Sequence, residues 1–442
     1  MSKQPTIIKQ DRQQWSSEPA FIASMAGAAV GLGNLWRFPY MMGENGGGAF
    51  LVAYLIALIV VVLPIMMLEV AAGRLSKGGA VHTFGKINRF GRYYGWFVVL
   101  ITVAITSYYL VITGWTLGYT VDAFRQDVDV FPEFSAGYNS VWYFIAVTLL
   151  AGAILIKGVK AIETASKILM PVLLLVIIYL VFEASQTSGW SQAKDFFFVV
   201  DWSRLLNVEL WAFAFGQAFY TLAIGQGYLI TYGSFIPRDT NVPRACLIVA
   251  GTETSIALLA GWMIFPFLFS FGMQPDAGSQ LAFVTLPQVF ASIDGGAYLA
   301  MLFFSLFFAA AFSSCLAGLK VLIAAVAEEF KQTNTQAVVW VCLLMLILGL
   351  FSALSFTPLN LNINGEPVLD VIDRIAGGDV IIVSGIMGAA LFCWFIPPQT
   401  IRSVLGTENR WWEWRIYLIG RFLPVLVVAW LMITGAIKLM GN

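Results

Sequence analysis

Residues 27–34 read GAAVGLGN and residues 35–39 read LWRFP, in the middle of an apolar run from Phe21 to Met42. That run is long enough to cross a bilayer, yet glycines and an asparagine lie at its centre. Inside a membrane, an unwound turn is costly unless its free N–H and C=O groups line a cavity or bind a ligand. Residues 219–227, FYTLAIGQG, repeat the interruption. Two interrupted helices at matching places in the two halves of a chain indicate the midplane binding site of a secondary transporter.

The composition places this chain in a membrane. Of its 442 residues 59% are hydrophobic and only 11% are charged, with a net charge of zero. Soluble domains have about 25% charged residues, so we expect an integral membrane protein, surrounded by lipid bilayer. The chain has no long basic tract, and we therefore expect no nucleic-acid partner. Four cysteines lie in or beside apolar segments and are predicted to be core thiols rather than disulfides: Cys246, Cys315, Cys342 and Cys393.

Apolar runs of about 20 residues predict an all-α protein with eleven transmembrane helices. We place the spans at 21–44, 49–72, 93–122, 140–157, 161–185, 209–236, 244–274, 295–328, 335–354, 377–396 and 416–437. Lys and Arg cluster at the N-terminus and in alternate connections, which predicts a cytoplasmic N-terminus and, for an odd number of spans, an external C-terminus. We expect a multi-pass protein of a bacterial cytoplasmic membrane.

Both interrupted helices open a set of five, so we expect helices 1–5 and 6–10 to form an inverted repeat with helices 1 and 6 unwound at the midplane. The predicted organisation has three parts. Residues 1–20 form a cytoplasmic N-terminal segment with inner-gate residues, 21–396 the transporter core, and 397–442 a cytoplasmic loop with a peripheral helix 11.

Motifs along the whole chain resemble those of the neurotransmitter:sodium symporter family and its bacterial amino-acid transporters. The most specific stretch is GLGNLWRFPY at 31–40 with ENGGGAF at 44–50. Further matches are Tyr108-Tyr109, GWTLG at 114–118, GQAF at 216–219, Ser313-Ser314 and Asp370 with Asp373. The resemblance implies the leucine-transporter fold, two sodium sites and alternating access by a helix bundle that rocks against a scaffold.

The resemblance also implies oxygen ligands for both sodium ions, which hard cations prefer. The first site takes the Ala29 carbonyl, Asn34, Thr221 and Glu253. The second takes Gly27, Val30, Ala310, Ser313 and Ser314. Two alignments with the family are possible in helix 8. Alignment forward from Phe307 places Phe312 where the family has a hydroxyl residue, and alignment backward from Glu328 places Ser313 there. We prefer the second alignment. Each assignment has an alternative. Asn34 is then an amide that packs between helices, the serines bond to their own helix, and Glu253 is a structural glutamate bonded to backbone.

For the substrate, freed N–H groups near Leu32 and Gly33 are suited to a carboxylate, and Tyr109 matches the family tyrosine that donates to it. Monoamine transporters of the family carry Asp where this chain has Gly31, so the substrate here is expected to be an amino acid. Gly318 replaces a larger residue and is predicted to enlarge the pocket, and Gln226 adds an amide, unless it only packs. The predicted substrate set is Ala29, Gly31, Leu32, Gly33, Ile105, Tyr109, Tyr220, Thr221, Ala223, Gln226, Ser314 and Gly318.

Charged residues in apolar surroundings are candidates for gates. Arg37 and Asp373 are expected to form an outer gate with Tyr220 as its aromatic lid, and Arg12, Trp15 and Glu328 an inner gate. Glu69, inside helix 2, is expected to accept N–H groups from the unwound part of helix 6.

The predicted function is sodium-coupled symport of a neutral L-amino acid, with a hydrophobic or aromatic side chain favoured. Two sodium ions are expected and chloride is not required, because Glu253 supplies the negative charge. The protein is expected to be a monomer or loose dimer. Alternatives are another small carboxylated solute or a non-transporting membrane sensor. A channel is disfavoured because the chain has no pore-loop filter. An enzyme is not expected, since His82 is the only histidine and no nucleophile–base pair is visible.

Overall fold

The structure is a computed structural model that describes residues 14–125, 131–135, 137–237, 239–275, 282–283, 286–291 and 295–440. Its regular structure is helical apart from one short hairpin. Helices begin where side chains cap free N–H groups: Ser17 accepts from Ala20, Asn207 from Glu209, and Thr333 forms a capping box with Gln336.

The first half of the chain contains α1 (Glu18–Ala29), α2 (Phe38–Glu44), α3 (Gly48–Ala57), α4 (Leu63–Ser76), α5 (Ala80–Gly85), α6 (Arg89–Arg125), α7 (Phe131–Ser135), α8 (Asn139–Leu155), α9 (Val159–Ser185) and α10 (Trp190–Phe198). Wider π-helical turns lie before α2 (Gly33–Arg37) and between α3 and α4 (Leu58–Val62). A 3₁₀ turn, Trp202–Leu206, leads into the second half.

The second half contains α11 (Val208–Thr221), α12 (Tyr228–Gly233), α13 (Val242–Ser270), α14 (Leu286–Ala291), α15 (Gly296–Glu329), α16 (Asn334–Ala353), α17 (Val368–Ile372), α18 (Ile381–Phe395), α19 (Pro398–Leu405) and α20 (Arg410–Met440). A 3₁₀ turn, Leu354–Phe356, follows α16. The antiparallel strands β1 (Asn362–Ile363) and β2 (Glu366–Pro367) precede α17, and a π-helical stretch, Asp373–Val380, joins α17 to α18.

Several helices are long and apolar enough to cross a membrane. Within the described residues seven meet this condition, and eight do if α1 and the helix from Gly33 to Glu44, which are bent by 52° at their junction, count as one span. The expectation of a helical protein with many membrane helices is therefore confirmed. The count of eleven and the five-plus-five repeat stay predictions.

The first interruption lies between α1 and the turn at Gly33. α1 ends at Ala29, and Val30 takes an extended conformation with φ −80° and ψ 110°. The Gly31 N–H donates to Asn34 Oδ1 at 3.1 Å, and Leu35 N–H returns to the Gly31 carbonyl. A polar side chain thus replaces the missing helical partner at the break.

The second interruption lies between α11 and α12. Residues 222–227 form turns, with positive φ at Ala223 (52°), Gly225 (73°) and Gly227 (76°). α12 contacts α4 and α15, and α15 packs along α6, so both interruptions are enclosed by helices on several sides. The four cysteines are buried and free, as predicted.

Candidate functional site

A small cavity lies where the two interruptions meet. Its volume is about 30 Å³, room for roughly two water molecules. Its lining residues come from both interrupted helices, from α6 and from α15: Ala28, Ala29, Gly31, Gly33, Ile105, Tyr109, Tyr220, Thr221, Ala223, Gln226, Tyr228 and Ser314. Any solute larger than water that enters this cavity must therefore displace part of its wall.

The lining includes every residue of the predicted substrate set except Leu32 and Gly318. Leu32 contributes its backbone instead, because its N–H donates to Tyr109 Oη at 2.9 Å. Gly318 lies behind the wall. Ala28 and Tyr228, which are not in the predicted substrate set, complete the lining.

Position 31 has no space for a side chain. A Cβ atom on Gly31 would overlap the Tyr109 hydroxyl and the Ser314 Oγ. Ser314 Oγ itself donates toward the Ala28 and Val30 carbonyls, both at 3.1 Å. Position 31 therefore supplies no carboxylate to the N–H and O–H groups at this break.

Gly318 does not widen the cavity in the way that its size predicts. A Cβ atom there would lie 2.5 Å from Tyr228 Oη and 2.8 Å from Thr106 Oγ1. The space that a larger residue would occupy is filled by the Tyr228 hydroxyl. The Tyr228 hydroxyl therefore offsets the enlargement of the pocket expected from Gly318, and it places a polar group where a larger residue would place an apolar one.

Asn34, Thr221 and Glu253 lie together beside the cavity. Asn34 Nδ2 donates to Glu253 Oε1 at 2.7 Å, and Thr221 lies beside this carboxylate with its Oγ1 donating to the Gln217 carbonyl at 3.0 Å. Thr254 Oγ1 and Tyr54 Oη donate to Glu253 Oε2 at 3.1 and 3.3 Å. These donors are side chains. The cluster is buried, and among the described contacts the carboxylate accepts from side-chain groups.

A second group of oxygens joins α1 to α15. Ser313 Oγ donates to the Gly27 carbonyl and to the Ala310 carbonyl, both at 2.8 Å. Phe312, the other choice of register, packs on Phe308 with ring centroids 5.4 Å apart. The five residues predicted for the second sodium site thus lie in two adjacent sets of hydrogen bonds, Ser313 with Gly27 and Ala310, and Ser314 with Val30.

Buried polar side chains hold the freed backbone at both breaks. Glu69 Oε1 accepts from Gly225 N–H at 2.9 Å, the contact expected of it, and Ser384 Oγ donates to the Gly225 carbonyl at 2.7 Å. Gln217 Nε2 donates to the Gly33 carbonyl at 2.8 Å and so links α11 to the first break. These bonds satisfy backbone groups that the helices leave free.

The predicted outer-gate residues are close but not directly paired. Among the described contacts Arg37 donates to the Gly377 carbonyl at 3.0 Å and lies 4.3 Å from the centre of the Tyr220 ring. Asp373 accepts from Tyr108 Oη at 2.6 Å. Tyr108 and Tyr220 hydroxyls are 3.3 Å apart, so two hydroxyls link Asp373 to the tyrosine on whose ring Arg37 packs. A wider cavity of about 550 Å³ lies on the far side of Arg37 and Asp373.

Of the predicted inner-gate residues, Trp15 and Glu328 are among those that the structure describes. Trp15 is buried, and its Nε1 donates to the Tyr232 carbonyl at 3.1 Å, while its backbone N–H donates to Phe235. Glu328 accepts from Gly79 N–H at 2.7 Å. Arg12 lies outside the described residues. Ser16, which the sequence analysis missed, donates both its N–H and its hydroxyl to Glu163 on α9.

The comparisons with known proteins all find sodium-dependent transporters or their structures. The sequence model of the sodium:neurotransmitter symporter family matches residues 12–132 and 133–440. A sodium-dependent transporter of Haemophilus influenzae is 32% identical, over 91% of this chain and 93% of its own length. The sodium-dependent dopamine transporter of Bos taurus is 26% identical, over 87% of this chain and 63% of its own. The crystal structure of MhsT in complex with L-phenylalanine superposes with a TM-score of 0.86 at 34% identity, covering 95% of this chain and 99% of that one.

Proposed function

The chain belongs to the sodium:neurotransmitter symporter family, and from this we propose that it imports a neutral L-α-amino acid together with sodium. Membership makes it a sodium-dependent, multi-pass membrane symporter of a small molecule, not an enzyme. The proposal adds the substrate class, the ion sites and the transport direction.

The observation that carries the substrate class is the filled space at Gly31. Relatives that carry an amine without a carboxylate place Asp at this position, and here even a Cβ would overlap Tyr109 and Ser314. An anionic group at the break must therefore come with the solute. The Leu32 N–H and the Tyr109 hydroxyl are the donors suited to it. The complex of MhsT with L-phenylalanine supports an amino acid as that solute.

The first sodium ion is proposed to bind at Ala29, Asn34, Thr221 and Glu253, with the substrate carboxylate as a further ligand. Asn34 and Thr221 both lie beside Glu253, which brings a negative charge that offsets that of the ion. The second ion is proposed at Gly27, Val30, Ala310, Ser313 and Ser314, where carbonyl and hydroxyl oxygens converge. Because Glu253 is a built-in anion, we propose that chloride is not required.

Transport is proposed to follow alternating access across eleven spans arranged as a five-plus-five repeat. Arg37, Asp373 and Tyr220 would form the outer gate, and Trp15, Arg12 and Glu328 the inner one. The three sequence units 1–20, 21–396 and 397–442 remain the proposed organisation. The N-terminus is proposed to be cytoplasmic and the C-terminus external in a bacterial cytoplasmic membrane, with the protein a monomer or loose dimer.

Binding by purified protein tests this function. Thermal stability is measured with each amino acid in sodium and in potassium buffer, and the methyl ester of the best ligand serves as a control without a carboxylate. We expect stabilisation by neutral amino acids in sodium only, since ion and carboxylate share a site and lower each other's desolvation cost. Equal stabilisation in potassium would contradict symport.

Two further measurements separate the alternatives. Equal binding of the methyl ester and the free acid would contradict the carboxylate assignment, and binding only of a non-amino carboxylate would favour another carboxylated solute. Uptake into liposomes under a sodium gradient distinguishes a transporter from a sensor, because a sensor binds the ligand without accumulating it.

A further inference from the structure

A lysine to which no role has been given lies buried inside a membrane helix. Lys320 is 7% exposed and belongs to α15, one of the helices that are long and apolar enough to cross a membrane. Its Nζ lies 3.4 Å from Asn334 Oδ1 and 5.5 Å from the centre of the Phe235 ring. An ionisable side chain inside a membrane costs free energy, and residues of this kind mark the pathways of ions and substrates.

Lys320 lies on the same face of α15 as the proposed second sodium site. Seven positions separate it from Ser313, which is two helical turns, about 10 Å along the axis and about 20° around it. Ser313 Oγ donates to the Gly27 carbonyl, and a Cβ atom on Gly27 would lie 3.1 Å from Ser166 Oγ. This face of α15 is therefore turned toward α1 and α9, and both helices contact it.

The lysine lies between this site and the N-terminal segment. The Phe235 ring beside its Nζ also packs against Trp15, with ring centroids 6.3 Å apart. Trp15 precedes α1, and Gly27 lies near the opposite end of that helix. An ion that leaves the second site toward the Trp15 end of the molecule therefore passes close to the Lys320 ammonium. In the proposed orientation this end faces the cytoplasm.

We propose that Lys320 is a fixed cation on the exit route of the second sodium ion, where its charge weakens sodium binding and favours release to the inner side. The inference rests on the proposed symport function and adds a residue to it. Two like charges about 10 Å apart repel each other, and the repulsion is stronger where water is largely excluded. The lysine is part of α15, so it opposes the ion whenever the second site is occupied.

Removal of the charge tests the proposal on the full-length protein. Substrate binding is titrated with sodium for Lys320→Met, which keeps the unbranched shape, and for Lys320→Gln, which keeps an N–H donor for Asn334. We expect both variants to bind sodium at least about threefold more tightly than wild type, because a repulsive charge is gone. Lys320→Arg keeps the charge and should keep the wild-type affinity. Lys331→Met, in the exposed turn after α15, removes a charge that water and salt screen, and is the matched control without effect.

Two further measurements assign the effect to the second site and to ion release. In a Ser313→Ala background, Lys320→Met should change sodium affinity much less, because the ion that the charge opposes has lost a ligand. In liposomes, Lys320→Met should combine its higher sodium affinity with a lower maximal uptake rate, because the ion leaves more slowly.

Defined outcomes would overturn the inference. Unchanged or lower sodium affinity in both Lys320→Met and Lys320→Gln excludes a repulsive role, and lower thermal stability in the same variants assigns Lys320 to the joining of α15 to α16 through Asn334. An equal gain in the Ser313→Ala background excludes the second site as its target. These results remove this inference alone if wild-type protein still binds an amino acid in sodium only, whereas wild-type protein without any sodium-dependent binding removes the proposed function as well.

Discussion

Glu253 is a buried carboxylate at the proposed first sodium site. Its carboxylate lies in an apolar helix, 2.7 Å from Asn34 Nδ2 and 3.3 Å from Tyr54 Oη. A buried anion is retained only with good donors or a cation nearby. The donors are present, and a sodium ion beside Asn34 and Thr221 would complete the compensation.

We predict that Glu253→Gln weakens sodium affinity at least about tenfold and makes binding sensitive to chloride. The amide keeps the shape but loses the charge that offsets the ion, and an added anion can replace that charge in part. Substrate binding is titrated with sodium in chloride and in gluconate buffers. Wild-type protein should give the same curve in both. Glu209→Gln, at the exposed start of α11, is the control and should behave as wild type.

Gly318 and Tyr228 share one space, so the size of the residue at one position limits the size tolerated at the other. We predict that Gly318→Ala weakens substrate binding, because its Cβ would lie 2.5 Å from Tyr228 Oη. In a Tyr228→Phe background the same change should cost less, since the oxygen at 2.5 Å is gone and the ring carbon is 3.3 Å away, while the contact with Thr106 Oγ1 at 2.8 Å remains. Dissociation constants of the four proteins for phenylalanine form a double-mutant cycle. Strictly additive effects would contradict the pairing.

At the scale of the element, the second interruption depends on a backbone that only glycine adopts easily. Gly225 has φ +73°, and a Cβ there would lie 2.5 Å from the Gly385 nitrogen. Its N–H and C=O are held by Glu69 and Ser384. The break therefore joins α11 and α12 to α4 and α18 at one residue.

We predict that Gly225→Ala destabilises the protein by about 1–3 kcal/mol and abolishes most transport. The added methyl group meets backbone on α18, which cannot move aside as a flexible side chain could. Thermal unfolding and uptake are measured together. Gly251→Ala, on α13 with open space around the new methyl group, is the matched control and should unfold at or above the wild-type temperature. Equal losses in both variants would contradict the assignment.

The sequence predicted the helical membrane class and the family because glycine clusters and motif spacing are local features. The sequence could not predict which side chain fills the space left by a small residue such as Gly318. Tyr228 belongs to no motif named in the sequence, and only packing of α12 against α15 brings its hydroxyl to Gly318. Tyr54 and Ser16 were missed for the same reason, since their partners Glu253 and Glu163 are far away along the chain. The Ser16 contact could have been suspected only from Glu163 in an apolar segment.

At the scale of the whole molecule, the N-terminal segment connects the interrupted helix to the surface. Trp15 is 3% exposed, with its ring centroid 5.1 Å from that of Tyr232 on α12. Ser16 adds bonds to Glu163 on α9. α12 begins at Tyr228 beside the proposed substrate cavity, so we expect a segment that holds α12 to influence this cavity as well.

We therefore predict that Trp15→Ala shifts the protein toward a state open at this end. Loss of the ring removes about 3–5 kcal/mol of burial from the closed state only, if opening exposes Trp15. Hydrogen exchange of Tyr228–Gly233 should rise, and apparent substrate affinity should fall as the closed population falls. Trp414→Ala, an exposed tryptophan on α20, is the control and should change neither. Lower thermal stability with unchanged exchange in α12 would instead assign Trp15 to general packing. A rise in exchange that sodium and substrate together reverse would tie the N-terminal segment to the transport cycle, because ligands that favour the closed state must then oppose the mutation.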